Sequence, residues 1–251
     1  MPREPLDALP LDAYRVPAAD EVTALVSLTG TEHEIWDRAL PYLDVRDNDL
    51  HSLYAYGLAT ALLSAVPGAR AEVVLPAILL HDTGWKAVDP ARILPAIAPG
   101  SHDAATIRRH ETEGAAIAAR ILADIGYPRE ETARITAIVD GHDTRRHALN
   151  ADDAVVKDAD KLWRLTPHGL RTIGSWFRLD AEPTLRLVLS GTYDRLLTEP
   201  ARAVAGALAA IAGLGHSPQA RALRGRTPLT TSDHDQGCDQ GSDQGYDWGY
   251  G

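Results

Sequence analysis

An unbroken apolar run from Val73 to Leu80 closes on His81-Asp82-Thr83-Gly84-Trp85, and no other stretch constrains the fold as tightly. At helical spacing Val74, Leu75, Ile78, His81 and Asp82 share one face. A buried helix must therefore deliver an imidazole and a carboxylate to the interior in its last turn. Two ionisable groups placed there need partners, because an isolated charge in an apolar interior is unstable.

The same pattern recurs along the chain. His51 lies on a stripe with Ala55, Leu58 and Leu62; His110 on one with Ile107, Gly114, Ile117 and Ile121. The stripe Ile135, Ile138, Val139 ends on His142-Asp143. Asp158 shares a face with Val155 and Leu162, which assigns Asp152, Asp153 and Asp160 to the solvent side. No β alternation persists, so the expected fold class is all-α. Gly114 and the alanines beside it leave room for a close helix approach at His110.

Imidazoles and carboxylates converging from separate helices suit one or two divalent transition-metal ions, with Fe, Mn, Co, Ni and Zn all compatible with a mixed nitrogen and oxygen site. Cys238 is the only cysteine, which excludes an intramolecular disulfide and any Cys-based zinc site. A carboxylate such as Asp82 can bridge two ions through its two oxygens, and a water shared between them becomes a nucleophile.

The order H…HD…H…HD…D over residues 45 to 165 resembles the HD superfamily of metal-dependent phosphohydrolases in its two-metal form. The resemblance implies an HD-domain helical bundle. It assigns one metal to His51, His81, Asp82 and Asp158, and a second to His110 and His142 with Asp82 bridging. Asp82 and His110 are the implied catalytic groups. Asp143 is expected to orient a ligand imidazole rather than to ligate. Cations beside the acids are candidates for substrate contact: Lys86, Arg145 and Arg146 for phosphate, with His147 near them and Lys157, Lys161 and Arg164 around Asp158. Trp85 and Trp163 are assigned to the core. His33, His102, His168, His216 and His234 lack an inward stripe and are assigned to the surface.

The function expected is hydrolysis of a small phosphate ester, above all a nucleotide or nucleoside monophosphate, by metal-activated water. The alternative is a di-iron oxygenase of HD type acting on a polyol or phosphonate. Inositol oxygenases of the superfamily carry Lys three positions after the HD aspartate, where this chain has Trp85. Gly126-Tyr127-Pro128 is out of place for the Gly-Tyr-Pro signature of the cyclic-dinucleotide phosphodiesterases. A silent HD-fold protein would have lost ligands, and none is missing here.

The chain of 251 residues, 45% hydrophobic, is long enough for one substantial core. Its formal net charge of -10 argues against nucleic-acid polymers as partners and leaves small anionic phosphorylated substrates open. No membrane segment or leader is evident, so a soluble cytoplasmic protein is expected. Residues 1–19, rich in Pro, read as an extended arm, and 20–215 as a single helical domain. Residues 216–251 read as a disordered, low-complexity tail with repeated Asp-Gln-Gly.

Overall fold

The computed structural model describes residues 18, 22, 26–28, 30–101 and 103–224. All of the expected N-terminal arm but Ala18, and most of the expected tail with the Asp-Gln-Gly repeats, lie outside them, as do His102 and His234. Among the described residues every regular element is helical, and no helix is long and apolar enough to cross a membrane.

The helices are α1 (Gly30–Leu43), α2 (Asn48–Leu63), α3 (Ala71–Leu80), α4 (Pro90–Ile97), α5 (Ala104–Asp124), α6 (Arg129–Val139), α7 (Ala151–Trp163), α8 (Pro167–Phe177), α9 (Ala181–Thr192), α10 (Glu199–Leu214) and α11 (Pro218–Arg224), with 3-10 turns at Thr83–Ala87 and Tyr193–Arg195. Helix α11 falls inside the stretch assigned from sequence to the tail, so helical structure continues beyond residue 216.

The hub is α3. Every residue from Val73 to Leu80 is buried, and α1, α2, α5, α6 and α7 all pack around it. Each fully buried aliphatic side chain there contributes roughly 1.5–3 kcal/mol through its removal from water. Pro76 lies inside this helix and has no N–H to offer the Glu72 carbonyl four residues back. The Tyr127 hydroxyl donates to that carbonyl instead, at 2.6 Å. Gly126-Tyr127-Pro128 thus leads into α6 and repairs a neighbouring helix. Helix α4 covers a small second cluster of Trp85, Val88, Ile93, Ala96 and Ile107.

Gly84 is where the turn after α3 meets α5. A Cβ at Gly84 would lie 1.8 Å from the His110 carbonyl oxygen and 2.4 Å from Gly114 N. The backbones touch at this point, so Asp82 and His110 are brought together by two glycines.

Candidate metal centre

His81 and His142 are placed by the same local device. Each follows the last turn of its helix and points its Nδ1 back to a carbonyl three residues earlier: Ile78 O at 2.7 Å and Val139 O at 2.9 Å. Donation from Nδ1–H leaves Nε2 directed inward as the position that takes either a proton or a cation. His51 enters near the start of α2 and His110 from the middle of α5, both buried.

The four imidazoles surround Asp82. On one side, His51 Nε2 lies 3.5 Å and His81 Nε2 3.7 Å from Asp82 Oδ2. The same two nitrogens are 3.3 and 3.8 Å from Asp160 Oδ1. On the other side, His110 and His142 Nε2 lie 3.8 and 3.5 Å from Asp82 Oδ1, and 3.5 and 3.8 Å from Asp143 Oδ2. Each side is a pocket of two imidazoles and one carboxylate oxygen of its own, and Asp82 lends one oxygen to each. In chain order the His110–His142–Asp143 side is nested inside the His51–His81–Asp160 side.

These groups could hold metal ions, and the donor chemistry fits divalent ones. His51 and His81 Nε2 approach to 2.9 Å and His110 and His142 Nε2 to 3.3 Å. Lone pairs aimed at each other repel unless a proton or a cation sits between them. Protons do part of this without a metal. Burial works to depress His142, yet Asp143 and Asp82 outweigh it and push its pKa up to about 9. Burial, with the charge of His142 added, drops His110 to about 4. Burial would likewise depress His81, but Asp82 and Asp160 raise it. For Asp82 and Asp160 burial acts upward, and the imidazoles around them hold both well below the usual carboxylate range.

Two buried charges hold the loop that carries His142 and Asp143. The Glu111 carboxylate accepts from Asp143 N and Thr144 N at 2.8 Å each and from Thr144 Oγ1 at 2.7 Å. Lys157 Nζ donates to the carbonyls of Gly141, His142 and Arg145 at 2.7–2.8 Å. The acid takes the amides and the base takes the carbonyls of one short loop, so its backbone is satisfied on both faces. Burial lowers Lys157 to about 8.

Asp158 is not in the cluster, contrary to the sequence expectation. Its oxygens accept from Leu197 N at 2.7 Å and from Thr198 N and Oγ1 at 2.9 and 2.7 Å, tying α7 to the start of α10. Asp160, expected to face water, occupies the place foreseen for Asp158. Helix α7 has eleven buried residues out of thirteen, so the apolar stripe Val155–Asp158–Leu162 marks only one of its buried faces. Asp152 and Asp153, also expected at the surface, are buried and bonded to Arg70 and to Arg145. Asp143 reaches the imidazole Nε2 atoms of its pocket directly rather than orienting a ring from behind.

Above the cluster lies a cavity of about 240 Å³. Of the expected substrate contacts only Lys161 lines it. Lys86 pairs with Asp44 at the surface, at 2.5 Å. Arg145 is bonded to Asp140 O, Ala137 O and Asp153, and with Arg146 and His147 lies off the cavity wall. The cations on the wall are Arg46, Lys161, Arg164 and Arg195, and of these Arg46 and Arg195 went unnamed in the sequence reading. Trp85 is buried, stacks on His110 at 3.9 Å and donates Nε1–H to Asp82 Oδ1 at 3.0 Å. Trp163 meets His51 edge-on at 4.5 Å. Both touch ligand-type residues and also line the cavity, so assigning them to the core was incomplete. His33 is exposed beside Asp37, and His168, half-buried rather than on the surface, stacks on Tyr54 and accepts from Trp163 Nε1 at 3.0 Å.

Glu111, Arg46 and Asp160 were the residues missed, and Lys157, expected only as a cation beside Asp158, braces the loop instead. For Asp160 a signal existed: at helical spacing it shares a face with Val156 and Trp163. Nothing local marks Glu111, whose partners lie in a loop far along the chain. Comparison with protein-family models, with curated proteins and with solved structures finds no match.

Proposed function

We propose that this protein is a metal-dependent phosphohydrolase of HD type that cleaves a small phosphate ester, with nucleotides and nucleoside monophosphates first among the substrates to test. The observation that carries the proposal is Asp82, whose two oxygens each face a separate pair of imidazole Nε2 atoms at 3.5–3.8 Å. Divalent ions held there would make water nucleophilic at neutral pH and draw charge from a phosphoryl oxygen.

The chain's own residues supply the rest. Glu111 and Lys157 fix the loop that presents His142 and Asp143. Trp85 holds Asp82 and covers one face of His110, keeping bulk water off that ring. Four cationic side chains on the cavity wall against three carboxylates, Asp82, Asp143 and Asp160, favour an anionic substrate even before any metal is counted. That balance weighs against a neutral polyol and so against the inositol-type oxygenase. It leaves a phosphonate-oxidising di-iron enzyme as the second reading, since a phosphonate is also an anion.

The test is elemental analysis of protein purified without chelator, followed by phosphate release from a panel of nucleotides and simple phosphate monoesters. Oxygen uptake by ferrous-loaded protein on phosphonates is the competing arm. His81→Ala and Asp82→Ala are expected to lose metal and activity together. A metal-free variant that still released phosphate, or oxygen uptake without phosphate release, would overturn the proposal.

A further inference from the structure

The link between α1 and α2 has an unusual backbone. Arg46 and Asp47 both have positive φ, 54° and 57°, consecutive left-handed residues that are not glycine and that persist only where their surroundings impose them. The consequence is that Arg46 turns inward. Its side chain is 13% exposed and lies 4.0 Å from Asp82 Oδ2, with the guanidinium over Trp85 at 4.8 Å and over Trp176 at 5.1 Å. Two indole faces and a short stem hold the cation at the rim of the metal centre.

Asn48 stands beside it. Arg46 Nη2 donates to Asn48 Oδ1 at 3.2 Å, which orients the amide. The other end of that amide, Nδ2, is buried without a hydrogen-bond partner, and both residues line the cavity. A buried donor left without an acceptor costs stability, and here it lies on the wall of a ligand-sized space. A guanidinium and an amide N–H on one short segment match a ligand with several acceptor oxygens in one group and negative charge.

We infer that Arg46 and Asn48 form the subsite for the phosphoryl oxygens of a phosphate monoester, an assignment that rests on the phosphohydrolase proposed above. Phosphate bound there lies beside Asp82, within reach of the residues that would hold metal. The strained link is what aims both side chains at the same place.

The probe is inorganic phosphate, titrated calorimetrically into metal-loaded wild-type protein and into Arg46→Gln and Asn48→Ala, with metal content measured on each. Phosphate is expected to bind about ten- to a hundredfold more weakly to Arg46→Gln, the loss of a charge-assisted hydrogen bond, and about three- to tenfold more weakly to Asn48→Ala. Metal content stays at the wild-type level, KM for an ester rises more than kcat falls, and Arg46→Lys recovers part of the affinity. Wild-type phosphate affinity in both variants overturns the subsite. So does a loss of metal in Arg46→Gln with unchanged phosphate affinity in the molecules still loaded, because Arg46 would then only support Asp82. If Arg46→Gln does not fold, Asn48→Ala decides alone, and unchanged affinity in it overturns the inference. The two proposals fail differently: the hydrolase fails if no ester yields phosphate, and the subsite fails if phosphate binding ignores these residues.

Discussion

Adding one methyl group at Gly84 tests how the fold builds the metal centre. In Gly84→Ala the new Cβ would begin 1.8 Å from the His110 carbonyl oxygen, against an ordinary contact of 3.4–4 Å. The 3-10 turn and α5 must therefore separate by about 1.6 Å, and neither surface is a flexible side-chain end. Forced overpacking of this kind costs about 3 kcal/mol, the upper end of its usual range. For a domain of this size that lowers Tm by roughly 6–12 °C. The same displacement carries Asp82 away from His110, now 3.8 Å from it, so the inner pocket loses its metal first. Differential scanning calorimetry and elemental analysis on the same preparation read both effects. A Gly84→Ala protein that melts within about 2 °C of wild type and keeps its full metal complement would refute the reasoning, because the backbones could not then be in contact.

Three further outcomes are expected. Asp160→Asn removes metal from the outer pocket with the fold retained. Asp158→Asn keeps its metal and loses about 1–3 kcal/mol of stability, since it unbalances the three bonds to Leu197 and Thr198; equal metal loss in both would restore Asp158 to the site. Lys157→Met strands three buried carbonyls and should cost several kcal/mol, visible in urea unfolding, and a change below about 1 kcal/mol would mean that water replaces the ammonium freely. The last concerns pH. His142 holds a proton up to about pH 9, and an incoming ion must displace it. Affinity of the inner pocket therefore climbs by up to about tenfold per pH unit toward 9 and then levels. In metal-free protein the sign reverses. The raised pKa of His142 contributes stability fully present below the ordinary value of 6.5 and lost as pH rises through 9. Chelator competition and thermal melts across this range check the two halves, and a flat affinity profile would contradict them.

The all-α class and the convergence of His51, His81, Asp82, His110 and His142 were readable in the sequence because apolar stripes ending on a histidine reveal a buried face directly. Helix α7 gave no such signal. That helix is enclosed on every side, so periodicity no longer distinguishes the face toward the metal centre from the face toward α10, and Asp158 took the place of Asp160. Cations failed for another reason. Proximity in sequence to His142 suggested Arg145, whose charge is spent on Asp153 and on helix-end carbonyls. Arg46 was invisible because its inward turn depends on a left-handed backbone that no residue at that position announces.

The nesting of the two pockets has a temporal consequence. A ribosome releases Asp82, His110, His142 and Asp143 well before Asp160, and the inner set closes a much shorter loop of chain, which costs less entropy. All four side chains of the inner set are thus on hand while α7 is still being made, but the loop that carries His142 and Asp143 stays unbraced until Lys157 docks. The same helix brings Asp160 to His51 and His81, so a single docking step completes both pockets, and neither can close before residue 160 has left the ribosome.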